Sequence, residues 1–119
     1  MDDFLLNFIP PEELSRLAPP EETHILTLEA IPYEDQRRVR LSLEMTPFRE
    51  RPHLEILVLN AEGEEVASTS IIEPMSWKLE LTLHLRDGGG HNPYTAQVLL
   101  FYPQGPQDTL RTLTFQTAP

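Results

Sequence analysis

The 119-residue sequence predicts an all-β domain: a two-sheet antiparallel sandwich of seven strands behind a short N-terminal helix, with a small β-barrel as the alternative. Three observations predict it. From Thr23 onward apolar residues recur at every second position, the period of a half-buried strand. Turn residues separate these runs at the spacing of antiparallel β proteins. Pro47, Pro52, Pro74, Pro93, Pro103 and Pro106 all fall at proposed strand ends, where a missing N–H breaks no ladder.

Residues 1–20 form a separate head, and 21–119 the sandwich domain. The head begins with an apolar run, Phe4, Leu5, Leu6, Phe8 and Ile9, broken by Asn7. Behind it, Pro11 suits a first helical position, Glu12 and Glu13 suit the positive helix end, and Pro19 stops the helix within two turns. The apolar run either packs on the domain or docks onto a partner.

The first strand, within Thr23–Ile31, sets Leu26, Leu28 and Ala30 on one face. The second directs Val39, Leu41, Leu43 and Met45 inward. His53–Asn60 is apolar on both faces, as a central strand is, and Glu65–Ile72 is weaker and suits an edge. The fifth strand alternates most strictly, with Leu79, Leu81, Leu83 and Leu85 together. Tyr94–Tyr102 is again apolar on both sides, and Thr109–Thr117 closes the chain. A helical period of 3.6 fits neither Val39–Met45 nor Leu79–Leu85.

Charge and composition exclude several functions. A net charge of -10 opposes nucleic acid and anionic membranes, both of which need clustered Lys and Arg. With no cysteine there are no disulfides and no thiolate metal sites. The acidic N-terminus lacks the pattern of a secretory signal, and no stretch reaches the ~18 apolar residues of a membrane span. The expected setting is cytoplasmic, or the chain is a segment of a longer one.

The stretch Asn92–Leu100, "NPYTAQVLL", resembles the sixth strand of fibronectin type III domains, and the whole strand pattern resembles an immunoglobulin-like sandwich over about residues 23–117. The resemblance implies that Tyr94 is a structural corner whose hydroxyl bonds backbone a few residues upstream, with Ala96 and Val98 following inward. The sequence departs from these families in lacking paired cysteines and a tryptophan on the second or third strand. A fold of this kind implies no activity by itself.

Catalytic chemistry finds no foothold. No Gly-x-Ser-x-Gly motif is present, and the four histidines share no metal-binding spacing. No cofactor and no metal are expected. The stretch Arg86–Tyr94, "RDGGGHNPY", looks at first like a ligand cradle, but a strand follows it, not a helix. Its glycines read better as a flexible connection, with His91 and, elsewhere, Trp77 as weak candidates for ligand contact.

The expected function is therefore a non-catalytic protein-interaction or assembly module. Phe4, Leu5, Leu6, Phe8 and Ile9 are its candidate partner-binding residues, and a protein partner or self-association is expected. The edge strand Glu65–Ile72 is a second surface, able to accept an added strand. The alternative is a small-ligand or carbohydrate-binding module using Trp77, although a small-molecule ligand is disfavoured.

Overall fold

The computed structural model describes residues 17–117, and seven strands within it pair into two open antiparallel sheets. One sheet orders β1 (Ile25–Pro32), β2 (Arg38–Met45) and β5 (Lys78–His84) as β1-β2-β5. The other joins β3 (His53–Leu59), β4 (Glu65–Ile72), β6 (Tyr94–Phe101) and β7 (Arg111–Phe115) as β4-β3-β6-β7. The sheets stay separate, so the sandwich holds and the barrel does not. The only helical element among the described residues is one 3-10 turn, Pro20–Glu22. The helix expected from Pro11 lies largely outside them.

Alternation accounts for the core. Val39, Leu41, Leu43 and Met45 of β2 are buried, facing Leu54, Ile56 and Val58 of β3 and Ala96, Val98 and Leu100 of β6. Leu83 and Leu85 complete the buried set from the β5 side, with Leu79 and Leu81 packed at its margin. As expected, β3 and β6 are the inner strands of their sheet and β4 is an edge.

The first strand departs from simple alternation. A register shift between Ile25 and Thr27 leaves Ile25 only 2% exposed and Leu26 51% exposed. Such a bulge inserts one residue and reverses the facing of those before it. The expected inward role of Leu26 therefore passes to Ile25, while Leu28 and Ala30 keep theirs.

The bulge has an anchor. The Asp108 carboxylate, on the β6–β7 connection, accepts the Ile25 N–H at 3.1 Å and the Thr109 N–H at 2.8 Å, and it meets His24 Nδ1 at 2.9 Å. The Arg111 guanidinium donates to the Ile25 carbonyl. These bonds tie the start of the three-stranded sheet to the edge of the four-stranded one. The fold also includes the chain just ahead: Leu17 and Ala18 are buried, and Ala18 bridges Phe48.

Burial pushes the Asp108 carboxyl upward, but the His24 ring and the two N–H donors outweigh it and hold the group below its ordinary 3.8. A depressed folded value contributes stability that is complete above 3.8 and is lost as pH falls through that lower value. Urea unfolding followed from about pH 5 down to about pH 2 should therefore lose stability more gently in Asp108→Asn than in the parent. An equal slope in both would show that Asp108 does not link folding to pH.

Candidate functional site

The loops gather at two ends of the sandwich, and the two ends differ in chemistry. At one lie the β1–β2, β3–β4 and β5–β6 connections. At the other lie the β2–β3, β4–β5 and β6–β7 connections, together with the incoming chain Leu17–His24.

The first end holds "RDGGGHNPY". Tyr94 is fully buried, its ring stacked on Phe115 at 5.4 Å between centroids. Its hydroxyl accepts the His91 N–H at 3.0 Å and donates to the Asp87 carboxylate at 3.1 Å. The hydroxyl thus bonds backbone three residues upstream. Asp87 also accepts the Gly89 N–H at 3.1 Å and the Asn60 amide at 3.2 Å. Burial raises the Asp87 carboxyl, but these donors prevail and leave it below its ordinary value.

The glycines are not a loose linker. Gly88, Gly89 and Gly90 all adopt φ between 81° and 85°, a region that L-residues rarely occupy. A Cβ on Gly89 would lie 1.8 Å from the Gln36 carbonyl oxygen, so the chain passes directly over the β1–β2 turn. Gly90 N–H donates to Thr117 Oγ1, and the Asn92 side chain pairs with Thr117 on both its N–H, at 2.7 Å, and its carbonyl. The flexible connection expected from the sequence is instead a fixed loop, because each glycine meets a specific backbone demand.

A phosphate cradle needs adjacent N–H groups aimed at the ligand. Here the N–H groups of Gly89, Gly90 and His91 already serve Asp87, Thr117 and Tyr94. This loop end is built for internal bonding. His91 keeps an exposed ring, 3.4 Å from Glu62.

Trp77 lies at the opposite end. Its ring stands edge-on to Phe48, 6.3 Å between centroids, and its carbonyl accepts the Met45 N–H. The length of β5 separates it from the His91 loop, roughly 20 Å at strand spacing, so the two candidate contacts form no common site. Phe4, Leu5, Leu6, Phe8 and Ile9 lie outside the described residues. No three His, Asp or Glu side chains among the described residues converge as metal ligands.

That second end also carries an open cleft of about 560 Å³. Its floor includes His53, whose ring lies 5.5 Å from that of Phe101. One wall is the turn from Tyr102 to Pro106, closed by Gly105 N–H to the Tyr102 carbonyl and by Tyr102 N–H to the Pro106 carbonyl. The Tyr102 hydroxyl donates to the Glu50 carbonyl at 2.8 Å, binding that wall to the β2–β3 loop. The Arg51 guanidinium, engaged with the Glu73 carbonyl and Met75 sulfur, binds the β2–β3 loop to the β4–β5 loop. Glu21, Glu50 and Glu73 stand exposed around the opening.

The sandwich is similar in structure to Ruminococcus gnavus β-glucuronidase, with a TM-score of 0.55 and 17% identity over 81% of this chain and 16% of that one. It matches the same enzyme in complex with uronic isofagomine and with C6-substituted uronic isofagomine, each at TM-score 0.53 and 16% identity. The chain thus spans about a sixth of the length of these neighbours. Likeness at this identity shows a shared fold. No protein-family model and no curated protein sequence matches the chain.

Sequence reasoning missed the cleft, which draws on four separated segments, and it gave Asp87 no structural role. The loop geometry ranks substitutions. Tyr94→Phe should cost about 1–3 kcal/mol, because it strips a partner from both Asp87 and the His91 N–H. Gly89→Ala should cost more than Gly88→Ala or Gly90→Ala, which meet no atom within 4 Å and bear only the strain of positive φ. Chemical denaturation of the four variants tests the order, and an indifferent Gly89→Ala would show that the loop yields.

Proposed function

We propose that this chain is a non-catalytic interaction module, an immunoglobulin-like and fibronectin type III-like sandwich that serves as an accessory unit in a larger assembly. The strand order and the Tyr94–His91 corner support the finer fold reading. The observation that carries the functional one is the place where the apolar head joins the fold. Residues 1–16 run into Leu17, whose carbonyl accepts the Arg49 guanidinium, and Pro20 and Glu21 then line the cleft. The described chain thus enters at the end that carries the cleft, and this reading takes Phe4, Leu5, Leu6, Phe8 and Ile9 as the residues that a protein partner or a second copy engages.

Removal of residues 1–15 tests this reading, because it spares the packed Leu17 and Ala18. Sedimentation of the full chain should show self-association, or capture should recover a partner, and the truncated chain should lose either one while its urea midpoint stays unchanged. Unfolding of the truncated chain would mean that the head is core.

A second reading draws on the neighbouring β-glucuronidase structures, two of them in complex with uronic isofagomine or its C6-substituted form. A sugar-binding accessory role would engage Trp77, the sole tryptophan. A saturable change in its fluorescence against a panel of monosaccharides and uronic acids would favour that role over protein binding.

A further inference from the structure

We infer that β4 is a self-pairing edge. Two copies of the chain join antiparallel through Ala67–Ile72, about a two-fold axis at Thr69, and merge their four-stranded sheets into one. This surface is distinct from the head of the module reading and does not depend on it.

An edge strand presents unpaired N–H and C=O groups, which proteins guard with charge, proline, bulges or shortness. Three of the four sheet edges here are guarded in these ways. β1 is bulged between Ile25 and Thr27, carries Glu29 and ends at Pro32. β5 carries Lys78 and Glu80. β7 has only 5 residues, and its Arg111 donates to the Ile25 carbonyl of β1. β4 differs. From Val66 to Ile72 it holds no charged residue and no proline, and Ala67–Ile72 pairs with β3 in unbroken register. Arg86 covers only its start, through the carbonyls of Glu65 and Val66. Among the described residues, the side of β4 away from β3 pairs with no strand.

The residue order identifies the occupant as a second copy. Reading outward from Thr69, Ser68 matches Ser70, and apolar Ala67 matches apolar Ile71. A two-fold interface demands such symmetry, because a residue that meets another must be met by it in return. Antiparallel pairing about the axis sets Thr69 opposite Thr69, Ser68 opposite Ser70 and Ala67 opposite Ile71. Hydroxyl pairs of this kind stabilise a ladder.

The register also respects the faces. Ala67, Thr69 and Ile71 share the inner face with Val58, Ile56 and Leu54, their buried neighbours on β3, while Ser68, Ser70 and Ile72 are exposed. Directly opposed residues lie on one face, so inner meets inner and outer meets outer. A slip of one residue would turn one copy's core face toward the other's solvent face. Ile72, 67% exposed, comes to lie beside the second copy's Val66. No like charges oppose one another between Val66 and Ile72, which favours this stretch for self-contact in a chain of net charge -10.

The chain has no cysteine, so single introduced thiols report the register. In the full chain under mild oxidation, Thr69→Cys places two thiols across the axis with Cα atoms about 4.5–5.5 Å apart, within disulfide reach. Ser68→Cys sets its two thiols out of register, at a Cα separation of about 8 Å, beyond that reach. On non-reducing gels Thr69→Cys should form dimers at least about tenfold faster than Ser68→Cys. A mixture of Ser68→Cys and Ser70→Cys chains should bridge faster than either alone. Ser68→Lys and Ser70→Lys together oppose like charges on the exposed face, and they should slow the Thr69→Cys bridge by about fivefold. Equal rates for Thr69→Cys and Ser68→Cys, or a bridge indifferent to the lysines, would overturn the assignment. Removal of residues 1–15 should leave the Thr69→Cys bridge intact; its loss would assign self-association to the head and overturn the edge. If β4 fails while removal of residues 1–15 abolishes partner capture, the edge assignment falls and the module reading stands.

Discussion

The carboxylate of Asp87 is the point on which one end of the sandwich depends. It lies where the chain leaves the three-stranded sheet and crosses to the four-stranded one, and it takes donors from the β3–β4 turn, from the crossing loop and from β6. A carboxylate drawn partly out of water is costly to hold unless its lone pairs are filled. Asn60, Gly89 and Tyr94 fill them, so the positions of three segments follow from the solvation of one group. Tyrosine is required because its hydroxyl both donates to Asp87 and accepts from His91. The same constraint explains the glycines: a loop that curls its N–H groups onto Asp87 and Thr117 needs positive φ at all three, and at Gly89, over Gln36, it also has no room for a side chain.

Asn60 extends this network into the next turn. Its side-chain oxygen accepts the N–H groups of Glu62 and Glu64, both at 3.0 Å, and its amide reaches Asp87. One 5%-exposed side chain therefore shapes the β3–β4 hairpin and braces the crossing loop. Arg86 adds a further link, donating its backbone N–H to Val66 and its guanidinium to Glu65. That contact covers the start of the β4 edge, which would otherwise present open backbone groups to another strand. Stability of the loop end and protection of the edge thus come from neighbouring residues of one loop.

Much of this was legible in the sequence, and the failures have physical causes. Period-two alternation gave the strands because each sheet has one buried face, and doubly apolar β3 and β6 marked the inner strands of the larger sheet. Leu26 was misplaced because a bulge is a property of the pairing with β2, and Ile25 is held inward by Asp108, 83 residues away in the chain. Tyr94 was legible because its partners are local, His91 three residues upstream and Asp87 seven. The glycine run was legible as a turn but not as a fixed one, since Gln36 and Thr117 are distant in sequence. The cleft left no local signal at all: its acids sit one to a segment, and only the fold sets them around the same space.

The two ends therefore divide the work of the molecule. Folding favours neutralised acids, and at the glycine-loop end Asp35, Glu62, Glu64, Glu65 and Asp87 have donors or cations within reach. Like charges left unpaired around one hollow repel one another, which weakens the folded state most at low ionic strength. Nothing in the packing of the core demands that Glu21, Glu50 and Glu73 be acidic, for each is exposed and none makes a side-chain bond that holds a loop. The loops beneath them are fixed by other groups: the Tyr102 hydroxyl, the Arg51 guanidinium and backbone bonds. Charge at this end is separable from structure, whereas at the other end Asp87 is structure.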